Sequence, residues 1–159
     1  MKIDPRLVRR AYELALQGYV EGGCPIGAVL VAEDGAVLGE GYNRLVQESN
    51  PILHGEMSAM RAAGRRASRS DTTLYTSLSP CLMCAGTIVQ FKIPRVVVGD
   101  AVNSPGNVEF LRSRGVEVEV VNDLDSIALV QKFRAEKPEL WLEDWGGSER
   151  AWRPVAPKS

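Results

Sequence analysis

The chain has 159 residues, of which 45% are hydrophobic and 25% charged, the balance of a single ordinary globular domain and not of a disordered or collagen-like chain. A chain of this size buries about 68–70% of its unfolded surface, enough for a core without disulfide staples. Lys and Arg (19) against Asp and Glu (20) leave a net charge of −1, which argues against a nucleic-acid partner, whose phosphates call for a basic excess, and favours small-molecule chemistry.

Asp4-Pro5 opens a helix, with a side-chain acceptor at the cap and proline at the first helical position. Its apolar residues Leu7, Val8, Ala11, Leu14, Ala15 and Leu16 carry it to about Glu21, where Gly22-Gly23 stop it. Ile26–Val31 and Ala36–Glu40 flank Glu33-Asp34-Gly35 and read as a hairpin. A polar loop from Asn43 to Leu53 precedes a helix from Gly55 to about Arg66. Thr72–Ser77 is a β-branched and aromatic strand, and Pro80 leads into a helix from Cys81 to about Phe91.

The valine run Arg95–Gly99 suits a strand buried on both faces. Val116, Val118 and Val120 alternate with Glu117 and Glu119, as in a strand wet on one side. Leu124–Glu136 is a last helix, followed by the aromatic stretch Trp141–Trp145. The order α-β-β-α-β-α-β-β-α predicts an α/β domain over residues 1–145, with a five-stranded sheet between helix layers. Residues 146–159 turn polar and read as a tail. No apolar run reaches the roughly 18 residues of a membrane span, and the start MKIDPRLVRR lacks the apolar core of a signal peptide. Three cysteines make no disulfide framework, so a reduced, cytoplasmic protein without a membrane partner is expected.

The single histidine lies in Leu53-His54-Gly55-Glu56, and two of the three cysteines lie in Ser79-Pro80-Cys81-Leu82-Met83-Cys84. Both clusters fall where a loop meets a helix N-terminus. Cys81 and Cys84, at i and i+3, share one face of the first turn, where the helix dipole and free amides favour thiolates. One imidazole and two thiolates are three ligands for Zn²⁺, leaving a fourth position for water, as at catalytic zinc sites. Zinc lowers the pKa of its bound water to about 7, and Glu56, two positions after the histidine, is placed to take that proton and pass it on. Two blander readings stand beside this one. Cys81 and Cys84 could be a redox pair, or Cys24 could supply a fourth ligand and close a structural zinc in a non-catalytic binding domain. Arg61, Arg65, Arg66 and Arg69 fall near one helical face and read as a solvated surface, while Met57, Met60 and Met83 read as packing residues.

The pattern H-x-E followed by P-C-x-x-C resembles that of the zinc-dependent nucleobase deaminases. Glu21-Gly22-Gly23, Pro25-Ile26-Gly27, the run DTTLYTSLSPCLMC from Asp71 to Cys84 and Trp141-Leu142-Glu143-Asp144 resemble the fungal-type cytosine deaminases of the cytidine deaminase superfamily. Gly55 and the Leu78-Ser79-Pro80 before Cys81 look more like that family than like tRNA adenosine or bacterial guanine deaminases. The resemblance implies a three-layer α/β/α cytidine-deaminase-like fold with a mixed sheet, one zinc per subunit, a homodimer, and hydrolysis of cytosine to uracil and ammonia. It also implies substrate contacts: Asn43 and the Gly55 amide at the base's O2 side, Asp144 at N1–H, the Ser79 carbonyl at the exocyclic amine, and Ile26 and Trp141 as walls. One departure bears on the substrate. After Asn103 the family has a phenylalanine that closes the pocket, whereas this chain has Ser104 in a segment a residue shorter. Guanine, another aminated heterocycle or an adenosine in tRNA are therefore alternative substrates.

Overall fold

The computed structural model describes residues 1–149. Of the polar tail expected from 146 onward, residues 150–159 lie outside the described residues. Helix α1 (Pro5–Val20) starts where Asp4 accepts a hydrogen bond from the Arg6 amide and buries Ala11, Leu14, Ala15 and Gly18. The Asp-Gly hairpin joins β1 (Gly27–Ala32) to β2 (Val37–Tyr42), antiparallel, with a bulge at Leu30/Val31. There follow α2 (Gly55–Ala63), β3 (Thr72–Thr76), α3 (Leu82–Gln90), β4 (Arg95–Val98), α4 (Val108–Ser113), β5 (Glu117–Val120), α5 (Leu124–Glu136) and α6 (Pro138–Glu143).

The five strands form one mixed sheet in the order β2-β1-β3-β4-β5, with β1 antiparallel to both its neighbours and β3, β4 and β5 parallel. Strand alternation divides the core. Ala28, Leu30, Leu74, Val96, Val98 and Val118 face a layer that includes Ala59 of α2, Ala85 and Ile88 of α3 and Leu111 of α4. Val29, Val31, Tyr75 and Val97 face the other way, onto Leu14 of α1. Each fully buried Leu or Val here is worth about 1.5–3 kcal/mol relative to exposure. Helix α2 can approach the sheet closely because β2 carries Gly39 and Gly41: a Cβ at Gly39 would lie 2.4 Å from the Ala59 carbonyl oxygen.

Three sequence expectations change. Helix α2 stops at Ala63, because Gly64 adopts a positive φ of 70°. Arg65, Arg66 and Arg69 therefore do not share a helical face with Arg61 but lie in the loop beyond it. There, Arg66 pairs with Asp71 at 2.6 Å and Arg69 donates to the Gly64 carbonyl at 2.9 Å. Helix α4 has no counterpart in the expected order, and the first part of the aromatic stretch, Trp141–Glu143, lies on a further helix, α6, with Trp145 just beyond it. Both are six-residue helices without a side-chain cap hydrogen bond, too short to show a helical period, although Pro138 stands at the first position of α6.

Candidate active site

The site lies beyond the carboxyl ends of β3 and β4, where two helices begin side by side, a recurrent ligand position in open α/β sheets. His54 is the N-cap of α2 and Cys81 the N-cap of α3, both with extended backbone. The Cys81 sulfur accepts a long hydrogen bond from the Cys84 amide at 3.5 Å, in the manner of a capping side chain. His54 caps nothing with its ring, so the ring is free to turn toward Cys81, and Nδ1 lies 3.4 Å from Cys81 Sγ.

One ligand atom each from His54, Cys81 and Cys84 lies within 4.8 Å of the others. A tetrahedral zinc with bonds of about 2.0–2.3 Å needs ligand atoms roughly 3.5 Å apart, so the observed N···S separation fits the ion. The donor set, one imidazole and two sulfurs, also suits zinc. The opposite ring nitrogen, Nε2, stands 3.3 Å from Asp144 Oδ1. That leaves Nδ1 to face the metal and gives the histidine the carboxylate partner typical of zinc-bound imidazoles. The Asn43 side-chain amide donates to the same Asp144 oxygen at 2.8 Å, and the Asn43 oxygen accepts from the Leu45 amide at 3.0 Å. Asp144 is thus held from two sides.

Glu56, 3% exposed on the first turn of α2, receives the Thr76 hydroxyl at 2.7 Å from Oγ1 to Oε1. The same hydroxyl lies 2.9 Å from the Leu78 carbonyl oxygen. Thr76 has one proton and two acceptors, so it joins the end of β3, the loop leading to Cys81 and the Glu56 carboxylate in one short chain.

Charge is unevenly distributed among these groups. The Cys84 thiol, working against burial and aided by the His54 ring, draws Cys81 down to about 4. Beside that thiolate, the bond to Cys81 and burial push Cys84 up. Burial works to lower His54, but its bond to Cys81 and the charge of Asp144 raise it to about 9. Burial raises Glu56, helped by the Cys81 charge, and burial raises Asp144 with His54 acting in the opposite sense. A cation among the three ligands would take the place of the protons on His54 and Cys84.

The loop after β4 grips the run before Cys81. Asp100, fully buried, accepts from the amides of Val102 and Asn103 and from the Asn103 side chain, while its carbonyl accepts from the Ser79 amide at 2.8 Å. The Ser79 hydroxyl donates to the Ser104 carbonyl. Gly106, at φ 57°, lies so close that a Cβ there would stand 2.5 Å from Ser79 Oγ. This loop fixes where Ser79, Pro80 and hence Cys81 sit.

The remaining expected contact residues fall nearby. Ile26 accepts the Asn43 amide on its carbonyl at 2.8 Å, and the same oxygen would stand 2.8 Å from a Cβ at Gly55. Ile26 and Trp141 are buried in one apolar cluster with Leu45, Leu78 and Phe133. Cys24 belongs to that cluster too; burial raises its thiol, and its sulfur lies 4.0 Å from the Leu140 carbonyl oxygen. It is not among the grouped ligands, so a closed four-ligand zinc with Cys24 is overturned. Sequence reading missed two contributors, Thr76 and Asp100. Thr76 lay within the run DTTLYTSLSPCLMC, but only the fold reveals that its side chain faces Glu56.

Fold and site together define a zinc-dependent hydrolytic deaminase. Residues 1–100 match the family described as the cytidine and deoxycytidylate deaminase zinc-binding region, and the chain belongs to that family. It is 46% identical over 145 residues to a cytosine deaminase of Candida albicans, covering 90% of this chain and 97% of that one. It is 38% identical over 101 residues to a tRNA-specific adenosine deaminase of Haemophilus influenzae, spanning 62% of this chain and 58% of the relative. Among solved structures, a guanine deaminase from Bacillus subtilis superposes with a TM-score of 0.59 at 29% identity, over 84% of this chain and 95% of its own. A guanine deaminase from Nitrosomonas europaea shares the fold with a TM-score of 0.72 at 22% identity, over 85% and 86% of the two chains. Among the described residues no helix is long and apolar enough to cross a membrane.

Proposed function

We propose that this protein hydrolyses cytosine to uracil and ammonia, with Glu56 as its proton-handling residue. The observation that carries this reading is the 46% identity to a cytosine deaminase along nearly the whole of both chains. The local geometry supports it: a buried carboxylate at Glu56 beside a three-ligand metal site. Zinc on His54, Cys81 and Cys84 supplies, when bound, a Lewis acid and a water that is acidic near neutral pH. Glu56 would accept one proton from the attacking water and deliver it to N3 of the base, then take the second proton from the new C4 hydroxyl and pass it to the departing amine, leaving the C4 carbonyl of uracil and free ammonia. Burial raises its affinity for that proton, which suits a group that must both take and give it. The Thr76 hydroxyl holds one carboxylate oxygen while the other works.

The rest of the site recognises the base. Asn43 and the Gly55 amide take the O2 side, Asp144 accepts N1–H, the Ser79 carbonyl accepts from the exocyclic amine, and Ile26 and Trp141 wall the ring. The α2 N-terminus has no side-chain cap, which leaves its first amides free for an acceptor on the substrate. A small polar base in a largely apolar pocket needs several such fixed partners. The protein acts as a cytoplasmic homodimer in this reading.

Ammonia release by the zinc-loaded protein, with cytosine, guanine, cytidine and adenosine run in parallel, tests the substrate assignment. Turnover of cytosine well above the others is expected. Turnover of guanine or adenosine in preference to cytosine would overturn the assignment and place Ser104 at the root of the altered pocket.

A further inference from the structure

The polar segment after the aromatic run turns back onto the helix it has just left. Gly146 and Gly147 adopt φ of 71° and 94°, reversing the chain. The Glu149 carboxylate then accepts the indole Nε1–H of Trp141 at 2.5 Å and the Arg134 guanidinium at 3.1 Å, both on Oε1. Arg134, on α5, also donates to the Asn103 carbonyl at 3.2 Å, and its guanidinium carbon lies 4.9 Å from the Trp141 ring centroid. One cation and one carboxylate therefore join three parts of the structure: the loop after β4, helix α6 and the segment following it.

What they hold matters to the site. Helix α6 has only six residues, too few to fix its own position. It nevertheless carries Trp141 and ends at Asp144, the carboxylate held between Asn43 and His54. On the other side of the clasp, Asn103, Ser104, Pro105, Arg134, Trp145 and Glu149 line a cleft of about 200 Å³. The Ser104 hydroxyl turns to its own loop, accepting the Gly106 amide at 3.2 Å.

We infer that Glu149 and Arg134 are positioning residues of this site. They lock α6 against the loop after β4 and so set the register of Trp141 and Asp144. A solvent-exposed Arg–Glu pair alone contributes little. The bond from Trp141 is different, because its indole is buried and its N–H has no other acceptor in the described residues. The kinetic consequence rests on the deaminase reading; the structural consequence does not.

The test uses the full-length, zinc-loaded protein with Glu149→Ala and Glu149→Gln, each checked for equal zinc content and equal far-UV circular dichroism. For Glu149→Ala, the KM for cytosine rises roughly 5- to 20-fold with kcat within about threefold, the scale of one charge-assisted hydrogen bond. Glu149→Gln keeps an oxygen acceptor for the indole and recovers most of that loss. In ¹H–¹⁵N spectra the Trp141 indole signal, assigned by its absence in Trp141→Phe, is slow to exchange in the parent protein and fast in Glu149→Ala. An unchanged indole signal in Glu149→Ala overturns the clasp, whatever the substrate proves to be. A changed signal with an unchanged KM overturns the positioning role. If the parent protein leaves cytosine untouched, the deaminase reading fails while the indole measurement still decides the clasp.

Discussion

Replacing Thr76 with Val removes one hydroxyl at nearly constant volume and tests how the site holds its carboxylate. Thr76 Oγ1 stands 2.7 Å from Glu56 Oε1 and 2.9 Å from the Leu78 carbonyl oxygen, with the side chain 1% exposed. Water therefore has little access to replace the lost donor. A hydrogen bond to a charged group contributes about 1.5–3 kcal/mol, and an orphaned buried acceptor costs about 1–3 kcal/mol. If the bond serves to orient Glu56 for proton transfer, the loss falls on the chemical step. We expect kcat to fall about 10- to 100-fold with KM within about threefold. The folded state should lose about 1–3 kcal/mol, measured by urea denaturation. Thr76→Ser, which restores the hydroxyl, should recover most of kcat. Steady-state ammonia release at a temperature well below both unfolding transitions is the assay. A kcat for Thr76→Val within twofold of the parent, at equal zinc content, would refute the argument that this hydroxyl positions Glu56.

Three further outcomes follow from other parts of the fold. Gly106→Ala forces a Cβ to within 2.5 Å of Ser79 Oγ at a φ of 57°, and should cost about 2 kcal/mol, lowering Tm by about 4–8 °C in a thermal melt. Cys24→Ala should leave one zinc per chain by metal analysis and lose only about 1–2 kcal/mol, as expected of a small buried side chain outside the ligand set. Glu40 is held below the usual carboxylate range by its bond to Arg10, which means that its contribution to stability is present above the unfolded value and disappears as pH falls through the lowered folded value. Glu40→Gln should therefore cost under about 1 kcal/mol at pH 7, given the pair's exposure, and the difference from the parent should close in acid unfolding series.

The metal-binding residues were legible because their spacing is local. His54, Cys81 and Cys84 each stand at or just after a loop-to-helix junction, and those junctions are marked by Pro80 and by the end of a polar loop. The hairpin was legible for the same reason, through Asp34-Gly35. Helices α4 and α6 were not, since neither carries a side-chain cap hydrogen bond or is long enough to show a period. The end of α2 was overshot because a single glycine, Gly64, inside an arginine-rich run outweighed helix-compatible neighbours. Thr76, Arg134 and Glu149 illustrate a different limit. Their partners are Glu56, Asn103 and Trp141, and nothing in a linear pattern of residue types encodes which side chains the sheet and helices bring face to face.

The central claim is that Glu56 handles the protons of a hydrolytic deamination beside a three-ligand zinc. Its most direct test is ammonia release from cytosine by the zinc-loaded parent and by Glu56→Gln, with zinc content measured on the same samples. The account predicts measurable turnover in the parent, a loss of about 10²- to 10⁴-fold in the variant, and one zinc per chain in both. Equal turnover in the two proteins at equal zinc would contradict it.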